Sequence, residues 1–376
     1  MRLVALAAAL ASEAVLLAGA TPAPADKQHR PDHHDRPLSG PALKHWPRDA
    51  AAQLDAMIRR NAHNGSYAIF DMDNTSYRFD LEESLLPYLE NRGVITRDTM
   101  DPSLKLVPFN DAGNHTESLY GYYTRLCEID DALCYPFAAQ IFSGIPLREL
   151  KRHVDDLMAL GRNGTTIPTT YFDTDAGAVV KTDVSPPKVF RGQVELYNRL
   201  MANGITVYVI SAASEELVRM VASDPKYGYN VPAENVIGVT LLMRDQVSGN
   251  VTSSRKQITD GTYDEQANLA AGYVMTPFLW TPATWKAGKW AAVRAYVDEW
   301  KRPVLAGGDT PDSDGPMIFH GVDVGRGGVH LWINRKDEYM EELDEMREDF
   351  ADAQRREGLP VTADKNWVVV TPEDIL

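Results

Sequence analysis

The chain has 376 residues, 44% of them hydrophobic, and 53 acidic against 38 basic side chains give it a formal net charge of −15. That charge argues against a nucleic-acid partner, because binding to a phosphate backbone needs clustered lysine and arginine. The hydrophobic content is sufficient for an ordinary buried core, and the length predicts about two domains.

The first 25 residues have the pattern of a secretory signal peptide. Arg2 precedes an apolar run that continues to Leu17, and small residues and prolines follow it. This order is typical of an exported protein, so we expect a periplasmic or extracellular location. An uncleaved amphipathic extension is the alternative. Residues 26–55 begin with a tract rich in Pro, His and Asp, and we expect a flexible lead-in there.

An apolar run of the β type at residues 67–70 leads directly into Asp71 and Asp73, and Thr75 follows. In a parallel α/β sheet the carboxyl ends of the strands open onto the ligand crevice, so both carboxylates would lie there on the same side of the chain. Two carboxylates this close favour a divalent cation, and Mg²⁺ fits best because it binds carboxylates together with substrate phosphate. A turn that caps the next helix is the alternative.

The next strand-type run of this kind begins about 135 residues later, which is far too long for one crossover helix. An inserted domain must fill that interval, and we call residues 81–185 the cap segment. Apolar residues recur at three- and four-residue intervals in 81–91 and 147–160, so the cap segment is expected to be mainly helical. The core would then comprise 56–80 and 186–345, with a C-terminal extension at 346–376.

The cap segment carries acids and tyrosines suited to a cationic ligand. Glu82 and Glu83 follow Asp71 closely enough to overhang the site, and Tyr122 and Tyr123 lie in an aromatic run farther along. Aromatic faces combined with carboxylates make a cage for quaternary ammonium ions. The alternatives are a solvated first helical turn for the glutamates and core packing for the tyrosines.

The chain has two cysteines, Cys127 and Cys134. In an exported protein a disulfide between them is the expected state, and two buried thiols are the alternative. Redox catalysis and zinc binding are poor interpretations, because the spacing is not Cys-x-x-Cys and no second cysteine pair exists. No apolar run after the first 25 residues approaches the ~20 residues of a membrane span.

Further polar groups follow later strand-type runs. One run leads into Ser211, which is placed to donate to a phosphoryl oxygen, and another leads through two glycines into Asp309, Asp312 and Asp314. Lys289 opens an amphipathic helix, where its ammonium group would balance phosphate charge. Each feature alone has an ordinary alternative: a helix N-cap, a solvated acidic loop and a solvated lysine. Their order and their strand context indicate a single site.

These segments, in this order, resemble motifs one to four of the haloacid dehalogenase (HAD)-type phosphohydrolases. The resemblance implies an α/β fold, with a Rossmann-like parallel sheet as the core and an inserted, mainly helical cap. It implies that Asp71 attacks phosphorus and becomes an aspartyl-phosphate. It also implies that Asp73 protonates the leaving oxygen and then activates water.

The same resemblance assigns the groups that hold phosphate and metal. The phosphate-binding residues that it implies are Thr75, Ser211 and Lys289. The Mg²⁺ ligands that it implies are Asp71, Asp73 through its backbone carbonyl, and Asp309, with Asp312 or Asp314 in support. Lys286 is the alternative to Lys289, although the position directly after Gly288 favours Lys289. Zn²⁺ or another divalent ion is the alternative to Mg²⁺.

From about residue 66 to about residue 345 the chain resembles, more narrowly, a family of bacterial phosphatases that act on phosphorylcholine. The similar stretches are 71–78, 81–87, 117–120, 125–131, 279–285 and 308–314. The resemblance implies metal-dependent hydrolysis of phosphorylcholine to choline and phosphate, with a small phosphate ester that carries a quaternary ammonium group as the partner. It places Glu82, Glu83, Tyr122 and Tyr123 around that group. Where the family has a third tyrosine in its aromatic run, this chain has Thr124.

Two other functions remain open at this point. The first is a phosphatase for phosphoethanolamine or for phosphomonoesters in general. The second is a choline-binding protein that keeps the fold without catalysis. Metal dependence separates the last possibility from the others, because chelation stops a phosphatase of this type but need not weaken the binding of choline.

Overall fold

The computed structural model describes residues 37–111, 115–174 and 176–376. The expected signal peptide and the first part of the lead-in lie outside these residues. Within the described ranges, none of the helices combines the length and the apolar character needed to cross a membrane.

The α-helices of the described residues are distributed along the whole of these ranges. In chain order they are α1 (Arg48–Asn61), α2 (Leu81–Glu90), α3 (Leu119–Ile129), α4 (Asp131–Gln140), α5 (Leu147–Asn163), α6 (Arg191–Ala202), α7 (Glu215–Ala222), α8 (Ser254–Thr259), α9 (Glu265–Ala271), α10 (Ala287–Tyr296), α11 (Pro311–Gly321) and α12 (Asp337–Arg356).

The strands are short, as is usual when helices separate them. In chain order they are β1 (Tyr67–Phe70), β2 (Tyr77–Arg78), β3 (Ile167–Asp173), β4 (Ala178–Val184), β5 (Lys188–Val189), β6 (Thr206–Ser214), β7 (Val236–Val239), β8 (Leu241–Asp245), β9 (Val251–Thr252), β10 (Tyr273–Leu279), β11 (Leu305–Gly308), β12 (Val329–Ile333) and β13 (Trp367–Val370).

A six-stranded parallel sheet with the order β13-β12-β11-β1-β6-β7 forms the core. β1 lies inside this sheet, with Ala68 opposite Leu305 of β11 on one side and opposite Val207 of β6 on the other. Parallel sheets are covered by helices on both faces, so their strands are apolar throughout, as the run at 67–70 is. The predicted Rossmann-like α/β core is therefore confirmed.

Successive residues of β1 point to opposite faces of the sheet and enter different hydrophobic cores. Phe70 packs in the larger core with Leu54 of α1 and Leu196 of α6. Ile69 packs in the smaller core with Val293 of α10 and Ile318 of α11. This two-sided burial fixes β1 in the sheet and thereby fixes the position of the residues that follow it.

The cap segment shares the larger core with the sheet. Leu85 of α2, Leu126 of α3 and Leu150 of α5 are buried in the same apolar cluster as Phe70. The expected helical character is present in α2 to α5, but the segment also contains an antiparallel hairpin in which β3 pairs with β4. The helical periodicity gave no indication of this hairpin, because its two strands mix polar and apolar residues and are at most partly buried after Ile167.

Both ends of the described chain are more ordered than expected. The lead-in was expected to be flexible to residue 55, but α1 begins at Arg48 and Trp46 is buried. The C-terminal extension gave no readable signal, but it continues α12 and supplies β13, which pairs in parallel with β12 at the edge of the sheet. The alternation in β13 explains this pairing, since Val368 and Val370 are buried and Val369 is exposed.

A small antiparallel sheet with the order β10-β8-β9 lies between β7 and β11 in the chain. It was not predicted. The middle of β10 contacts the cap segment, because the N–H of Gly144 donates to the carbonyl of Met275 at 2.9 Å and Gln140 Nε2 donates to the carbonyl of Pro277 at 2.6 Å. This sheet therefore attaches the cap segment to the core at a second place.

Candidate active site

Asp71 lies directly after β1, where its backbone N–H donates to the carbonyl of Gly307 at 3.0 Å. Its side chain is buried, and Oδ1 lies 2.9 Å from Nζ of Lys289. Burial raises the pKa of Asp71 to about 8, and the charge of Lys289 opposes that rise. A bound cation would lower it further and keep the carboxylate ionised, as a nucleophile requires.

Lys289, rather than Lys286, is the lysine of this site. Its side chain is fully buried, and Nζ contacts Asp314 at 2.7 Å as well as Asp71. Burial lowers the pKa of Lys289, but the attraction of the two carboxylates outweighs burial and raises that pKa above its ordinary value. The structure thus brings Lys289, which the sequence favoured over Lys286, to the aspartates, and one cation here offsets two buried negative charges.

Lys286 and Asp312 point away from the buried carboxylates. Nζ of Lys286 contacts Asp312 at 2.7 Å and Asp131 of α4 at 3.1 Å, and all three side chains are exposed. Of the two supporting residues suggested by sequence, the structure therefore brings Asp314 to the site and leaves Asp312 on the surface.

Three buried aspartates form a cluster suited to a metal ion. Asp71, Asp309 and Asp314 each offer a carboxylate oxygen, and these oxygens lie within 4.8 Å of one another. Asp314 is held in place because its Oδ2 accepts from the N–H groups of Asp309 at 2.9 Å and Thr310 at 3.0 Å. A hard cation with oxygen ligands fits this set of donors.

The side chain of Asp73, which was expected to act as the general acid and base, faces the cap segment. Its Oδ1 accepts from the N–H of Leu81 at 2.7 Å, so the carboxylate faces the first turn of α2. Burial, followed by the charges of Asp80 and Asp71, raises the pKa of Asp73. A carboxyl group that retains its proton is suited to act as a general acid.

Thr75 and Ser211 are both buried beside the aspartates. The Thr75 hydroxyl donates to Oδ1 of Asp309 at 2.8 Å, so this threonine orients a carboxylate of the cluster. Ser211 Oγ accepts from the N–H of Ala213 at 3.1 Å at the carboxyl end of β6. Among the described residues, Ala212 and Ala213 line the cavity next to the aspartates, whereas the two hydroxyl residues lie behind its surface.

A cavity of about 200 Å³ opens above these groups. Its core side includes Asp71, Asp73 and Asp309, which follow β1 and β11 at the carboxyl edge of the sheet. Acids and tyrosines from the cap segment line the other side, namely Asp80 at its border, Glu82, Glu83, Tyr123 and Tyr135. Arg335, which lies between β12 and α12, and Tyr339 of α12 complete the wall.

Glu82 and Glu83 have defined partners in the cavity wall. Glu82 Oε1 accepts from the N–H of Ser214 at 2.7 Å, and Glu83 Oε1 accepts from the hydroxyl of Tyr120 at 3.1 Å. Burial raises the pKa of Glu82 to about 8 and that of Glu83 to about 7. A cationic ligand nearby would favour the ionised form of both groups.

The aromatic run contributes one side chain to the cavity. Tyr123 lines it, but Tyr122 points into the cap segment, where its hydroxyl donates to the carbonyl of Val107 at 3.1 Å. The assignment of Tyr122 to the ligand is therefore corrected, since adjacent residues of a helix face directions about 100° apart. Thr124 donates to the carbonyl of Tyr120 at 2.9 Å and faces its own helix. Thr124 itself does not line the cavity.

Sequence reasoning missed Tyr135, Arg335 and Tyr339. Arg335 comes two residues after β12, so the rule that located Asp71 at the carboxyl end of a strand would also have located Arg335. Tyr135 and Tyr339 had no comparable signal, because a tyrosine in a helix is most often a packing residue.

The predicted disulfide is present between Cys127 of α3 and Cys134 of α4. It joins two helices that meet at Asp130, whose side chain accepts from the N–H of Ala132 at 2.8 Å. Tyr123 and Tyr135 lie on these two helices. The disulfide therefore constrains the two elements that present tyrosines to the cavity.

The parallel sheet, the aspartates after β1 and β11 and the buried lysine define a phosphohydrolase of the HAD type. A solved structure of a conserved functionally unknown protein from Anaerococcus prevotii has the same fold, with a TM-score of 0.55 and 18% identity over 90% of this chain and 97% of that one. Cytosolic 5'-nucleotidase IIIB bound to cytidine aligns with a TM-score of 0.40 and 10% identity over 87% and 88% of the two chains. No protein-family model matches the sequence.

The sequence itself narrows this class. It is 62% identical over 337 residues to phosphorylcholine phosphatase of Pseudomonas aeruginosa, which covers 90% of this chain and 94% of that protein. The chain belongs to the phosphorylcholine phosphatase family.

Proposed function

We propose that this protein is a phosphomonoesterase that hydrolyses phosphorylcholine to choline and phosphate through a covalent intermediate on Asp71. One observation carries the proposal: a single cavity has the buried carboxylate of Asp71 on its core side and two glutamates with a tyrosine on its cap side. The 62% identity to a phosphorylcholine phosphatase supports the same substrate.

In the first half of the reaction a carboxylate oxygen of Asp71 attacks phosphorus. A P–O bond to Asp71 forms, and the P–O bond to the choline oxygen breaks. Asp73 donates its proton to that oxygen, so that choline leaves with a neutral hydroxyl group rather than an alkoxide. The raised pKa of Asp73 suits this step, because the carboxyl group must hold a proton when substrate arrives.

In the second half Asp73, now ionised, removes a proton from a water molecule. The resulting hydroxide attacks phosphorus and breaks the bond to Asp71, which releases inorganic phosphate and restores both carboxyl groups. Lys289 remains beside Asp71 and offsets its charge throughout. Thr75 acts through Asp309, which it holds in one orientation.

Asp71, Asp309 and Asp314 fit a divalent cation by their oxygen donors, their burial and their mutual distances. Mg²⁺ is the proposed ion, because it favours carboxylates together with substrate phosphate. When bound, it supplies positive charge that stabilises the phosphoryl group in the transition state.

The cap side of the cavity would receive the trimethylammonium group. A quaternary ammonium has no N–H to donate, so charge and aromatic faces are the interactions that bind it. Glu82 and Glu83 supply the charge, and Tyr123 and Tyr135 supply the aromatic faces. A generic phosphatase needs neither group.

The experiment that tests this function is phosphate release from phosphorylcholine, phosphoethanolamine and p-nitrophenyl phosphate by the purified protein, with Mg²⁺ and with a chelator. We expect metal-dependent release with the highest kcat/KM for phosphorylcholine. Phosphate release from the aryl ester alone would support the proposed phosphoryl-transfer chemistry but contradict phosphorylcholine as the substrate. Binding of choline without any metal-dependent release would instead favour a non-catalytic binding protein.

We also infer that the protein is exported to the periplasm or the extracellular medium. The apolar run after Arg2 and the disulfide between Cys127 and Cys134 support this inference, since disulfides persist in oxidising compartments. Cell fractionation tests it, with a cytoplasmic enzyme as the control. Recovery of the full-length chain in the cytoplasmic fraction would contradict export.

A further inference from the structure

We propose that Arg335 contacts the phosphoryl group of the substrate directly and acts as a specificity-determining residue for the phosphate end of the ligand. This rests on the proposed phosphatase chemistry, but it holds for any phosphomonoester. Arg335 lies outside the four sequence motifs, just after β12.

The first argument is charge. The cavity is lined by six carboxylates, which are Asp71, Asp73, Asp80, Glu82, Glu83 and Asp309. Among the described residues, Arg335 is the one cationic side chain in that lining. A phosphate group that enters such a cavity is repelled unless cations face it, and one metal ion offsets only part of this negative charge.

The second argument is that the ammonium group of Lys289 already has two carboxylate partners. Its Nζ lies between Asp71 and Asp314, and its side chain is fully buried behind the cavity surface. It offsets the charge of the nucleophile and of a cluster carboxylate, so a further cation is needed for the phosphoryl oxygens themselves. Arg335 is available there, because it lines the cavity and 23% of its side chain is exposed.

The third argument is geometry. Nε of Arg335 donates to Oδ2 of Asp309, and Nη2 donates to the hydroxyl of Thr310 at 3.1 Å. No described residue accepts a hydrogen bond from Nη1. The guanidinium plane is also supported by the ring of Tyr339, whose centroid lies 4.8 Å from Cζ. The guanidinium group is thus held in place through Nε and Nη2, and its unpaired Nη1 is pre-organised to donate to a phosphoryl oxygen.

A purely structural role is the competing explanation, since the contact with Asp309 alone would orient one carboxylate of the cluster. The two roles separate at saturating metal. A residue that only orients Asp309 would change the concentration of Mg²⁺ required, whereas a residue that contacts phosphate would change phosphate affinity after the metal site is full.

The experiment measures the dissociation constant of inorganic phosphate by calorimetry at saturating Mg²⁺, for the wild type, Arg335→Ala and Arg335→Lys. We expect Arg335→Ala to weaken phosphate binding by about tenfold or more. The phosphate affinity of Arg335→Lys should lie between those of the wild type and Arg335→Ala, because lysine keeps the positive charge but lacks the planar set of guanidinium donors. Choline binding should stay within about twofold. Added guanidinium should restore part of the phosphate affinity of Arg335→Ala.

The matched control is Lys336→Ala, which removes the neighbouring positive charge. Lys336 is exposed, also lies against Tyr339 and does not line the cavity, so phosphate affinity should stay near that of the wild type. Unchanged phosphate affinity in Arg335→Ala and Arg335→Lys at saturating Mg²⁺ would overturn the proposal. If the wild type hydrolyses the aryl ester but not phosphorylcholine, the proposed substrate fails while this test of Arg335 still stands.

Discussion

The side chain of Asp71 is buried between one ammonium group and two other carboxylates, and this position sets the chemistry available to it. Lys289 offsets part of the negative charge, and the carboxylates of Asp71, Asp309 and Asp314 are close enough together to fit a divalent cation. Asp73 is two residues away but has a different environment, in which its carboxyl group accepts from the N–H of Leu81 at the start of α2, has no lysine among its described neighbours, and has a raised pKa through burial and the charges of Asp80 and Asp71. Two adjacent carboxyl groups are thereby suited to two different roles.

We expect Asp71→Asn to lower kcat by about a thousandfold or more for every phosphate ester, because an amide is not a nucleophile at phosphorus. Phosphate release from p-nitrophenyl phosphate and from phosphorylcholine checks this. Asp312→Asn is the matched control, since Asp312 is an exposed aspartate on the same segment as Asp309 and should leave kcat nearly unchanged. Turnover near the wild-type rate in Asp71→Asn would exclude this residue as the nucleophile.

The raised pKa values of Glu82 and Glu83 predict a pH-dependent preference. A glutamate with a raised pKa is neutral below that pKa and charged above it, so attraction to the ammonium group increases as pH rises through about 7 to 8. The ratio of kcat/KM for phosphorylcholine to that for p-nitrophenyl phosphate should therefore rise between about pH 6 and pH 9. The ratio cancels protonation of the catalytic groups. A ratio that stays flat over this range would contradict the assignment.

At the scale of single residues, sequence predicted that Asp71, Lys289 and Asp309 lie together, because each follows a strand or opens a helix at one edge of the sheet, and the structure places the three side chains side by side. It did not decide between Asp312 and Asp314, which lie on the same helix, and only the fold shows which one faces inward. Tyr122 and Tyr123 were equivalent in sequence as well. Which of the two faces the cavity depends on the rotation of α3 about its axis, and packing against the rest of the cap segment determines that rotation.

At the scale of the helices and strands, a disulfide joins α3 to α4 through two cysteines that are seven residues apart. These helices carry Tyr123 and Tyr135 toward the cavity, and the bond restricts how far they move apart. A covalent link of this kind stabilises a fold chiefly by limiting the unfolded chain.

We expect Cys127→Ser combined with Cys134→Ser to lower the free energy of unfolding by about 2 kcal/mol, the value that loop closure gives for so short a loop. Urea unfolding of the variant and of the wild type measures this difference. The reduced wild type serves as the control, because it should unfold at the same urea concentration as the variant. Equal midpoints for the oxidised wild type and the variant would show that the disulfide does not stabilise the fold.

The strands of the core could be predicted because burial on both faces makes them apolar runs with polar residues at their ends. The hairpin β3–β4 and the sheet β10-β8-β9 could not, since their strands are partly exposed and pair antiparallel without such a signature. β13 was missed for a related reason. β13 pairs with β12, which lies 34 residues away or more in the chain. The four residues of β13 alone do not show which strand they pair with.

At the scale of the whole molecule, the cap segment and the parallel sheet share one hydrophobic core and enclose the cavity between them. The sheet side contributes the aspartates to which we assign phosphoryl transfer, and the cap side contributes Glu82, Glu83 and the tyrosines to which we assign the ammonium group. A net charge of −15 is compatible with a cationic small molecule as the partner. Chemistry and selectivity therefore reside in different parts of the chain.

The most direct test of this division is the ratio of kcat/KM for phosphorylcholine to that for p-nitrophenyl phosphate in the wild type and in Glu82→Gln combined with Glu83→Gln. Glutamine keeps an acceptor for the N–H of Ser214 and the hydroxyl of Tyr120 but removes both charges. We predict that the ratio falls by about tenfold or more, mainly through KM for phosphorylcholine. An unchanged ratio, with both substrates affected equally, would contradict the account.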